Sequence, residues 1–274
     1  MALAPVALVA ATSLTVAAVD RVSKTLARPG VANEGFAGSS EASPSRTHRL
    51  LMVFGASGGS GSAVVEAALG RGFRVRAFVR SRERLRVQLG NLIDHEMLEV
   101  VEGDLQDPGA VQDAIAGAQA VICSACARPE TAPGPVAAAM PAIVSACRKN
   151  EVERLVVQSC ALAAVPGEWW GLLTPARLAR AVVRWQNSSN IIDDAERTMQ
   201  YLYREAKDVK WVVARAPWLE EGEPLGGVVP NLDPFRASTL RYSDLADWLL
   251  DQVQGDAYVG KMPRLRYRPV EHPI

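Results

Sequence analysis

A glycine-rich turn between a short apolar run and a run of small residues is the feature that most constrains how this chain folds. The apolar run is Leu50–Phe54, and glycine then recurs at every third position, at Gly55, Gly58 and Gly61. The small apolar residues that follow predict a tightly packed helix. A strand, a glycine turn and a helix in this order direct backbone N–H groups and a helix N-terminus at a phosphate. The segment therefore predicts a dinucleotide-binding turn.

The rest of the chain alternates between apolar runs and amphipathic segments, which predicts a single α/β domain with a Rossmann-like, doubly wound parallel sheet. The predicted strands end near residues 54, 79, 102, 123, 159 and 215. The predicted helices begin near residues 63, 108, 133, 190 and 241. Because crossovers are right-handed, all the strand carboxyl ends lie on one edge of the sheet, where ligands bind.

Charge and cysteine content exclude some classes of partner. The 274 residues carry 30 basic and 30 acidic side chains, so the formal net charge is zero. A nucleic-acid-binding protein needs a basic excess to neutralise phosphates, so we expect no nucleic-acid partner. The four cysteines do not form a disulfide scaffold in a chain of this length, and no cysteine or histidine spacing predicts a metal site. A small molecule is the expected partner, and the pattern predicts no particular oligomeric state.

The first 47 residues differ in composition and are interpreted as a leader, followed by a domain over residues 48–268 and a tail over 269–274. Residues 1–19 carry no charge, and basic side chains and a Gly/Ser/Pro-rich stretch follow them. This composition is typical of an organelle transit peptide. A membrane anchor, a secretory signal and a disordered start are the alternatives. We predict a plastid location, with the cytoplasm as the alternative, and membrane contact only if the leader is retained.

The end of the second strand favours NADP over NAD as the cofactor. In an NAD site, an acidic residue at this position accepts a hydrogen bond from the ribose 2′-hydroxyl. This chain has Arg80 there and Arg82 two residues later. A guanidinium donates a bidentate fork of hydrogen bonds that suits a 2′-phosphate. A solvated basic helix start is the alternative interpretation, and NAD is the alternative cofactor.

Several ordered motifs resemble those of the atypical short-chain dehydrogenase/reductases with an NAD(P)H-binding, NmrA-like domain. After the glycine turn, they are Val79-Arg80-Ser81, Gly103-Asp104-Leu105, Val156 to Ser159, Asp194-x-Glu196, Trp211 to Pro217, Tyr242 to Leu250 and Tyr258 to Lys261. Together they cover roughly residues 48–268. The subgroup that includes flavin reductase/biliverdin reductase B is the most similar.

The resemblance implies a role for the residues that follow each strand. The pyrophosphate would lie on the glycine turn, formed by Gly55, Ala56, Ser57, Gly58, Gly59, Ser60 and Gly61. The other cofactor contacts would be Arg80 and Arg82 at the 2′-phosphate, Asp104 and Leu105 at the adenine, and Ser124 and Ala125 at the nicotinamide ribose. Asp104 has an alternative role as the N-cap of the helix that begins near Pro108. Ser159 is the candidate catalytic residue, with satisfaction of local backbone groups as its alternative.

The Tyr-x-x-x-Lys pair that usually supplies the general acid in this superfamily is not found in the region where it would lie, because every tyrosine of the chain, including that of Tyr203-x-x-x-Lys207, comes later. Hydride transfer to a flavin or quinone depends mainly on positioning and little on acid catalysis. An NADPH-dependent reductase of a planar acceptor of this kind is therefore the first functional hypothesis. A non-catalytic NAD(P)-binding redox sensor or assembly protein is the alternative.

Two groups of side chains near the predicted site have alternative roles. Cys123 and Cys126 form a C-x-x-C that is either a redox dithiol, which would be a third function, or part of the core. Trp169, Trp170 and Trp218 either stack on a flat acceptor or pack within the protein.

Charged residues late in the chain also have competing interpretations. Arg215 either binds an anionic substrate or forms a buried salt bridge with Asp244 or Glu196. Asp193 and Asp194 are expected at the surface or at the N-terminus of their own helix, where the helix dipole stabilises a negative charge.

Overall fold

The central feature of the fold is a six-stranded parallel sheet. The computed structural model describes residues 49–127, 134–166, 189–231 and 239–268. The strands of the sheet are β1 (Leu50–Phe54), β2 (Arg74–Val79), β3 (Leu98–Glu102), β4 (Ala120–Cys123), β5 (Arg154–Cys160) and β6 (Trp211–Ala216). Their order is β3-β2-β1-β4-β5-β6, and all neighbouring pairs are parallel. The chain thus builds outward from β1 in one direction and then in the other, which confirms the Rossmann-like prediction.

Helices cover both faces of this sheet. They are α1 (Gly59–Gly70), α2 (Arg82–Leu89), α3 (Pro108–Ile115), α4 (Pro135–Lys149), α5 (Ser189–Glu205) and α6 (Tyr242–Gln254). Residues of α1, α2 and α6 share one hydrophobic core, and residues of α3, α4 and α5 share the other. Strand β1 feeds both cores, because Val53 belongs to the first and Phe54 to the second. A strand buried on both faces reads as a continuous apolar run, as Leu50–Phe54 does.

Four short strands follow β6, and the sequence pattern missed them. They are β7 (Trp218–Glu220), β8 (Val228–Pro230), β9 (Thr239–Arg241) and β10 (Leu265–Tyr267). Strand β7 pairs in parallel with β9, and β8 pairs antiparallel with β10. Each has three residues, which is too few to show a hydrophobic period.

Residues 260–264 run along the outer side of β6. The N–H groups of Val213 and Arg215 donate to the carbonyls of Lys261 and Pro263, at 3.0 and 2.9 Å. The N–H of Gly260 donates to the carbonyl of Trp211 at 2.8 Å. The last strand of the sheet is therefore covered by a later part of the same chain.

Most predicted element ends agree with the structure to within two residues. The predicted start of the first helix near residue 63 is wrong, because α1 already begins at Gly59. The helix predicted from residue 133 begins at Pro135, after Gly134, which has a left-handed backbone with φ +76°. The leader over residues 1–47, the tail over 269–274 and the pair Trp169 and Trp170 lie outside the described residues. Within the described ranges, no helix is long and apolar enough to cross a bilayer.

Candidate dinucleotide-binding site

The glycine turn and the loop after β4 meet at the point where the strand order reverses. Gly55 follows β1 in a left-handed conformation with φ +75°, which glycine adopts without strain. A Cβ added to Gly55 would lie 2.5 Å from the backbone nitrogen of Ala125. The N–H of Ser124 donates to the carbonyl of Phe54 at 3.0 Å. The fold thus brings together the residues expected at the pyrophosphate and at the nicotinamide ribose.

The other two glycines of the motif, Gly58 and Gly61, differ in whether their surroundings leave room for a side chain. A Cβ on Gly61 would collide with the carbonyl of Gly55, so this glycine allows close packing of α1 on β1. A Cβ on Gly58 would meet only the Gly55 carbonyl oxygen, at an ordinary 3.5 Å. Gly58 has φ −92° and ψ 164°, which any residue adopts. The contacts within the described protein therefore do not require glycine at position 58, which is consistent with the close approach of a phosphate predicted for this turn.

The N-terminus of α1 is open to a ligand. Its N-cap is Gly58, and no side chain caps the helix. The first N–H groups of a helix have no partner within it, and they carry the positive end of the helix dipole. These groups suit a pyrophosphate, as predicted for the turn.

Side chains of the turn connect it to the core and to the sheet. Ala56 is fully buried in the core and offers only its backbone to a ligand, whereas Ser57 is partly exposed. The Oγ of Ser60 accepts a hydrogen bond of 3.1 Å from Nε2 of Gln158, near the end of β5. This bond holds the start of α1 beside the strand that ends with the candidate catalytic Ser159.

Arg80 and Arg82 are exposed at the end of β2 and the start of α2. Their guanidinium groups make no hydrogen bond or ion pair with the rest of the described chain. The adjacent Ser81 caps α2, because its Oγ accepts from the N–H of Arg84 at 3.4 Å. Free guanidinium groups at this position can bind a 2′-phosphate, and they are equally compatible with a solvated helix start. The 2′-phosphate role therefore stays a prediction.

In the turn after β3, Asp104 does not cap the next helix, contrary to one of its two predicted roles. Asp107, and not Asp104, is the N-cap of α3, because its Oδ1 accepts from the N–H groups of Gly109 at 2.9 Å and Ala110 at 3.3 Å. The N-cap directly precedes Pro108, the first residue of the helix. Asp104 is exposed and accepts from the N–H of Gln106 at 2.9 Å, and Leu105 packs against the core. Their contact with adenine stays a prediction.

Three hydroxyl groups at the expected nicotinamide end lack hydrogen-bond partners. The buried atoms Ser124 Oγ, Ser159 Oγ and Thr198 Oγ1 have none in the part of the chain that the structure describes. Ser159 and Thr198 line a small cavity of about 30 Å³ beyond β5 and against α5. Buried hydroxyls normally find a partner, so these three are available to a ligand or a water molecule. Thr198 was missed by sequence reasoning, since nothing in the local pattern distinguishes it from a helix-surface threonine.

Asp194 lines the same cavity but caps a neighbouring helix. Its carboxylate accepts from the N–H groups of Val136 at 3.2 Å and Ala137 at 2.7 Å, in the first turn of α4. Only 2% of the residue is exposed, so the expectation of a surface position is wrong. Burial raises the pKa of this carboxyl, although the two N–H donors oppose the shift.

The two thiols of the C-x-x-C have different environments. Cys123 is fully buried in the core at the end of β4, and burial raises its pKa to about 12. Cys126 is exposed, and neither cysteine forms a disulfide within the described residues. A protonated, buried thiol is a poor nucleophile, so the environment of Cys123 favours a packing role over a dithiol.

Arg215 has a structural position at the end of β6. It is 5% exposed, and its guanidinium donates to the carbonyls of Met262 at 2.7 Å and Ala163 at 3.3 Å. The carboxylate of Asp244 instead accepts from the N–H groups of Leu225 and Gly226 and from the hydroxyl of Tyr267. Arg215 is therefore not paired with Asp244, and the alternative pairing with Glu196 stays a prediction.

A larger cleft of about 680 Å³ lies at the opposite edge of the sheet, near the amino ends of β5 and β6. Its arginines are ion-paired: Arg49 with Glu153 at 3.2 Å, Arg148 with Asp208 at 2.7 Å, and Arg154 with Asp256 at 2.5 Å. Ligands of open α/β sheets bind at the carboxyl ends of the strands, so this cleft is not the dinucleotide site. Among the described residues, no group of three or more His, Cys, Asp or Glu could hold a metal ion.

An uncapped helix N-terminus behind a glycine turn, at the switch point of a parallel sheet, defines an α/β protein of the dinucleotide-binding class. Residues 55–256 match the model of a family described as NAD(P)H-binding, and the chain belongs to that family. The unpaired guanidinium groups of Arg80 and Arg82 and the three buried hydroxyls without partners in the described chain are groups that can bind such a cofactor. The match confirms the NAD(P)H-binding domain that the resemblance to NmrA-like, atypical short-chain dehydrogenase/reductases implies.

Two curated relatives come from Arabidopsis thaliana. Protein TIC 62, chloroplastic, is 38% identical over 99 residues, which are 30% of this chain and 15% of that protein. The uncharacterized protein At2g34460, chloroplastic, is 30% identical over 188 residues, which are 66% of this chain and 63% of that protein. The chain thus spans less than two thirds of the length of each.

Three solved structures share the fold. The oxidoreductase ylbE from Lactococcus lactis has a TM-score of 0.63 at 18% identity, covering 80% of this chain and 91% of its own. The anaerobillin reductase ChuY from Escherichia coli O157:H7 has a TM-score of 0.62 at 18% identity, covering 82% and 100%. A short-chain dehydrogenase/reductase from Veillonella parvula, in complex with NADP, has a TM-score of 0.61 at 19% identity, covering 82% and 97%. The protein thus has an NAD(P)H-binding oxidoreductase fold.

Proposed function

We propose that this protein is an NADPH-dependent reductase of a planar small-molecule acceptor of the flavin or quinone type. The observation that carries the proposal is the set of unpartnered hydroxyls beyond β4 and β5, Ser124, Ser159 and Thr198. They lie where the nicotinamide end of the cofactor is expected, and they can hydrogen-bond an acceptor carbonyl there. The structural neighbours described as an anaerobillin reductase and as an NADP complex support it.

The side chains of this site would position the acceptor. When bound, the reduced cofactor supplies a hydride. The Oγ of Ser159 would donate a hydrogen bond to a carbonyl oxygen of the acceptor, and the acceptor would take its proton from solvent. Trp218, which is 68% exposed just beyond β6, offers a flat apolar surface on which a ring can stack. This arrangement uses positioning and does not need a Tyr-x-x-x-Lys pair as general acid.

Turnover with a panel of acceptors tests the proposal. The full chain is mixed with NADPH and with individual flavins and quinones, and the absorbance of the reduced nicotinamide is followed. We expect oxidation of NADPH with at least one acceptor, and a lower kcat in Ser159→Ala with an unchanged Kd for NADPH. Ser62→Ala is the matched control, because that hydroxyl is already used by the carbonyl of Gly59 at 3.1 Å. Tight NADPH binding without turnover of any acceptor would contradict the reductase proposal.

A non-catalytic NAD(P)-binding redox sensor or assembly protein is the second candidate. The lack of a Tyr-x-x-x-Lys pair at its usual place favours it, because Tyr203 of the sequence Tyr203-x-x-x-Lys207 is an exposed residue near the end of α5. The same panel separates the two candidates. Binding of both NADP and NADPH with unequal affinities, together with no turnover, is the result expected of a sensor.

We further propose a plastid location. Both curated relatives are named as chloroplastic, and the composition of residues 1–47 agrees with a transit peptide. A fluorescent protein fused behind residues 1–47 should enter plastids, whereas a fusion of residues 48–274 should not. Membrane contact is expected only if the leader stays attached, and no nucleic-acid partner is expected.

A further inference from the structure

Tyr242, the first residue of α6, lies over the start of α1 although it is far away in the sequence. A Cβ added to Gly59 would lie 2.8 Å from Cζ of Tyr242, and 3.0 and 3.1 Å from its two Cε atoms. These three atoms form the end of the ring that carries the hydroxyl. The hydroxyl end of Tyr242 therefore faces the first turn of α1.

The hydroxyl of Tyr242 is free to bind a ligand. It makes no hydrogen bond with the described residues, and the side chain is only partly buried. The nearby Tyr267 provides a contrast, because its hydroxyl donates to Asp244 at 2.6 Å and accepts from the N–H of Arg241 at 2.8 Å. A tyrosine hydroxyl at a partly buried site usually has such a partner.

The lack of a side chain at Gly59 allows the ring of Tyr242 to approach α1 this closely. Gly59 does not adopt a positive φ, so its backbone conformation does not require glycine. A side chain is excluded because the ring of Tyr242 occupies the space. The ring is thereby placed beside N–H groups of α1 that no side chain caps. A phosphate bound to those N–H groups would lie within reach of the phenol.

We propose that the hydroxyl of Tyr242 donates a hydrogen bond to the pyrophosphate of the bound dinucleotide. The proposal rests on NAD(P)H binding and on the assignment of the glycine turn to the pyrophosphate, and it is independent of any catalytic activity. The pyrophosphate is common to NADH and NADPH. The contact should therefore contribute equally to both affinities, unlike a contact from Arg80 to the 2′-phosphate.

The test is Tyr242→Phe in the full chain, which removes the hydroxyl and keeps the ring over Gly59. Dissociation constants for NADPH, NADH and ADP-ribose are measured by titration calorimetry. Loss of one hydrogen bond to a charged group should weaken binding by about tenfold. We expect the same factor for all three ligands, because all contain the pyrophosphate. The control is Tyr203→Phe on the exposed side of α5, which should leave all three constants unchanged.

The melting temperature of the variant without ligand distinguishes a contact from a packing role. We expect it to remain that of the natural sequence, because the ring is retained. Unchanged affinities for all three ligands would overturn the proposal, as would a loss confined to NADPH, which would place the hydroxyl at the 2′-phosphate. Failure of the natural sequence to bind any of the three would overturn it together with the glycine-turn assignment. Absence of turnover alone would sink only the reductase proposal.

Discussion

The backbone of Gly55 lies directly against that of Ala125 at the strand switch point, which leaves no room for a side chain at position 55. The Cβ that any other residue would add at Gly55 falls 2.5 Å from the Ala125 nitrogen. This contact fixes the position of the turn after β1 relative to the loop after β4. The two halves of the expected cofactor site are therefore held together by the sheet itself, before any ligand binds.

An alanine substitution at Gly55 should lower stability, whereas one at Gly58 should lower cofactor affinity. Gly55→Ala forces a left-handed residue with a Cβ into contact with Ala125, and we expect it to lower the free energy of unfolding by about 2–3 kcal/mol. Gly58→Ala has room for its Cβ, so stability should change little, whereas NADPH affinity should fall by about tenfold or more. Urea unfolding and NADPH titration measure the two effects. A stable Gly55→Ala variant would contradict the steric account.

Arg80→Ala should separate the two nicotinamide cofactors. Loss of a guanidinium–phosphate contact should weaken NADPH binding by about 10- to 100-fold and leave NADH binding nearly unchanged. Arg84→Ala, at an exposed position in the first turn of α2, is the matched control for a general change in surface charge. Equal losses for both cofactors in Arg80→Ala would remove the assignment to the 2′-phosphate.

Thr198→Val should increase stability slightly while reducing turnover. The substitution keeps the shape of the side chain and removes a buried hydroxyl that has no partner, which is neutral or stabilising by up to about 1 kcal/mol. If the hydroxyl helps to hold the acceptor, kcat/KM should fall by about tenfold, and Thr198→Ser should restore most of it. Loss of stability in Thr198→Val would indicate that a water molecule normally satisfies the hydroxyl.

The pH dependence of stability should report the burial of Asp194. Burial raises the folded-state pKa of its carboxyl, so the native state binds more protons than the unfolded state above about pH 4. Its contribution to stability is fully present below the unfolded pKa and is lost as the pH rises through the raised folded pKa. Urea unfolding of the natural sequence and of Asp194→Asn, measured between pH 4 and 8, should therefore give a stability difference that falls with pH and then levels off. Parallel curves would contradict the raised pKa.

The sequence predicts the parts of this protein that are encoded by neighbouring residues. The glycine turn, the apolar runs and the amphipathic helices are local patterns, and β5 occupies the predicted residues Arg154–Cys160. Even the arginine at the end of β2 can be placed, because its position follows from the order of the elements. These local signals are sufficient to predict the fold, and they supply the hypothesis for where the cofactor binds.

Partners that come from distant parts of the chain could not be predicted. Asp194 caps α4 instead of stabilising its own helix, and Tyr242 covers Gly59 in α1. Both contacts depend on which helices share a face of the sheet, and a local pattern does not specify that. The short strands β7 to β10 are likewise defined by their pairing partners.

The segment that runs along β6 has a consequence for association between copies of this protein. The backbone N–H groups of Val213 and Arg215 are already used by Lys261 and Pro263, so this side of the sheet offers no free edge for strand addition. The opposite edge is β3, where Glu99 and Glu102 are exposed. Charged side chains on an edge strand disfavour the addition of another strand. Continuation of the sheet from one molecule into the next is thus opposed at both ends, by occupied hydrogen bonds at one and by charged side chains at the other.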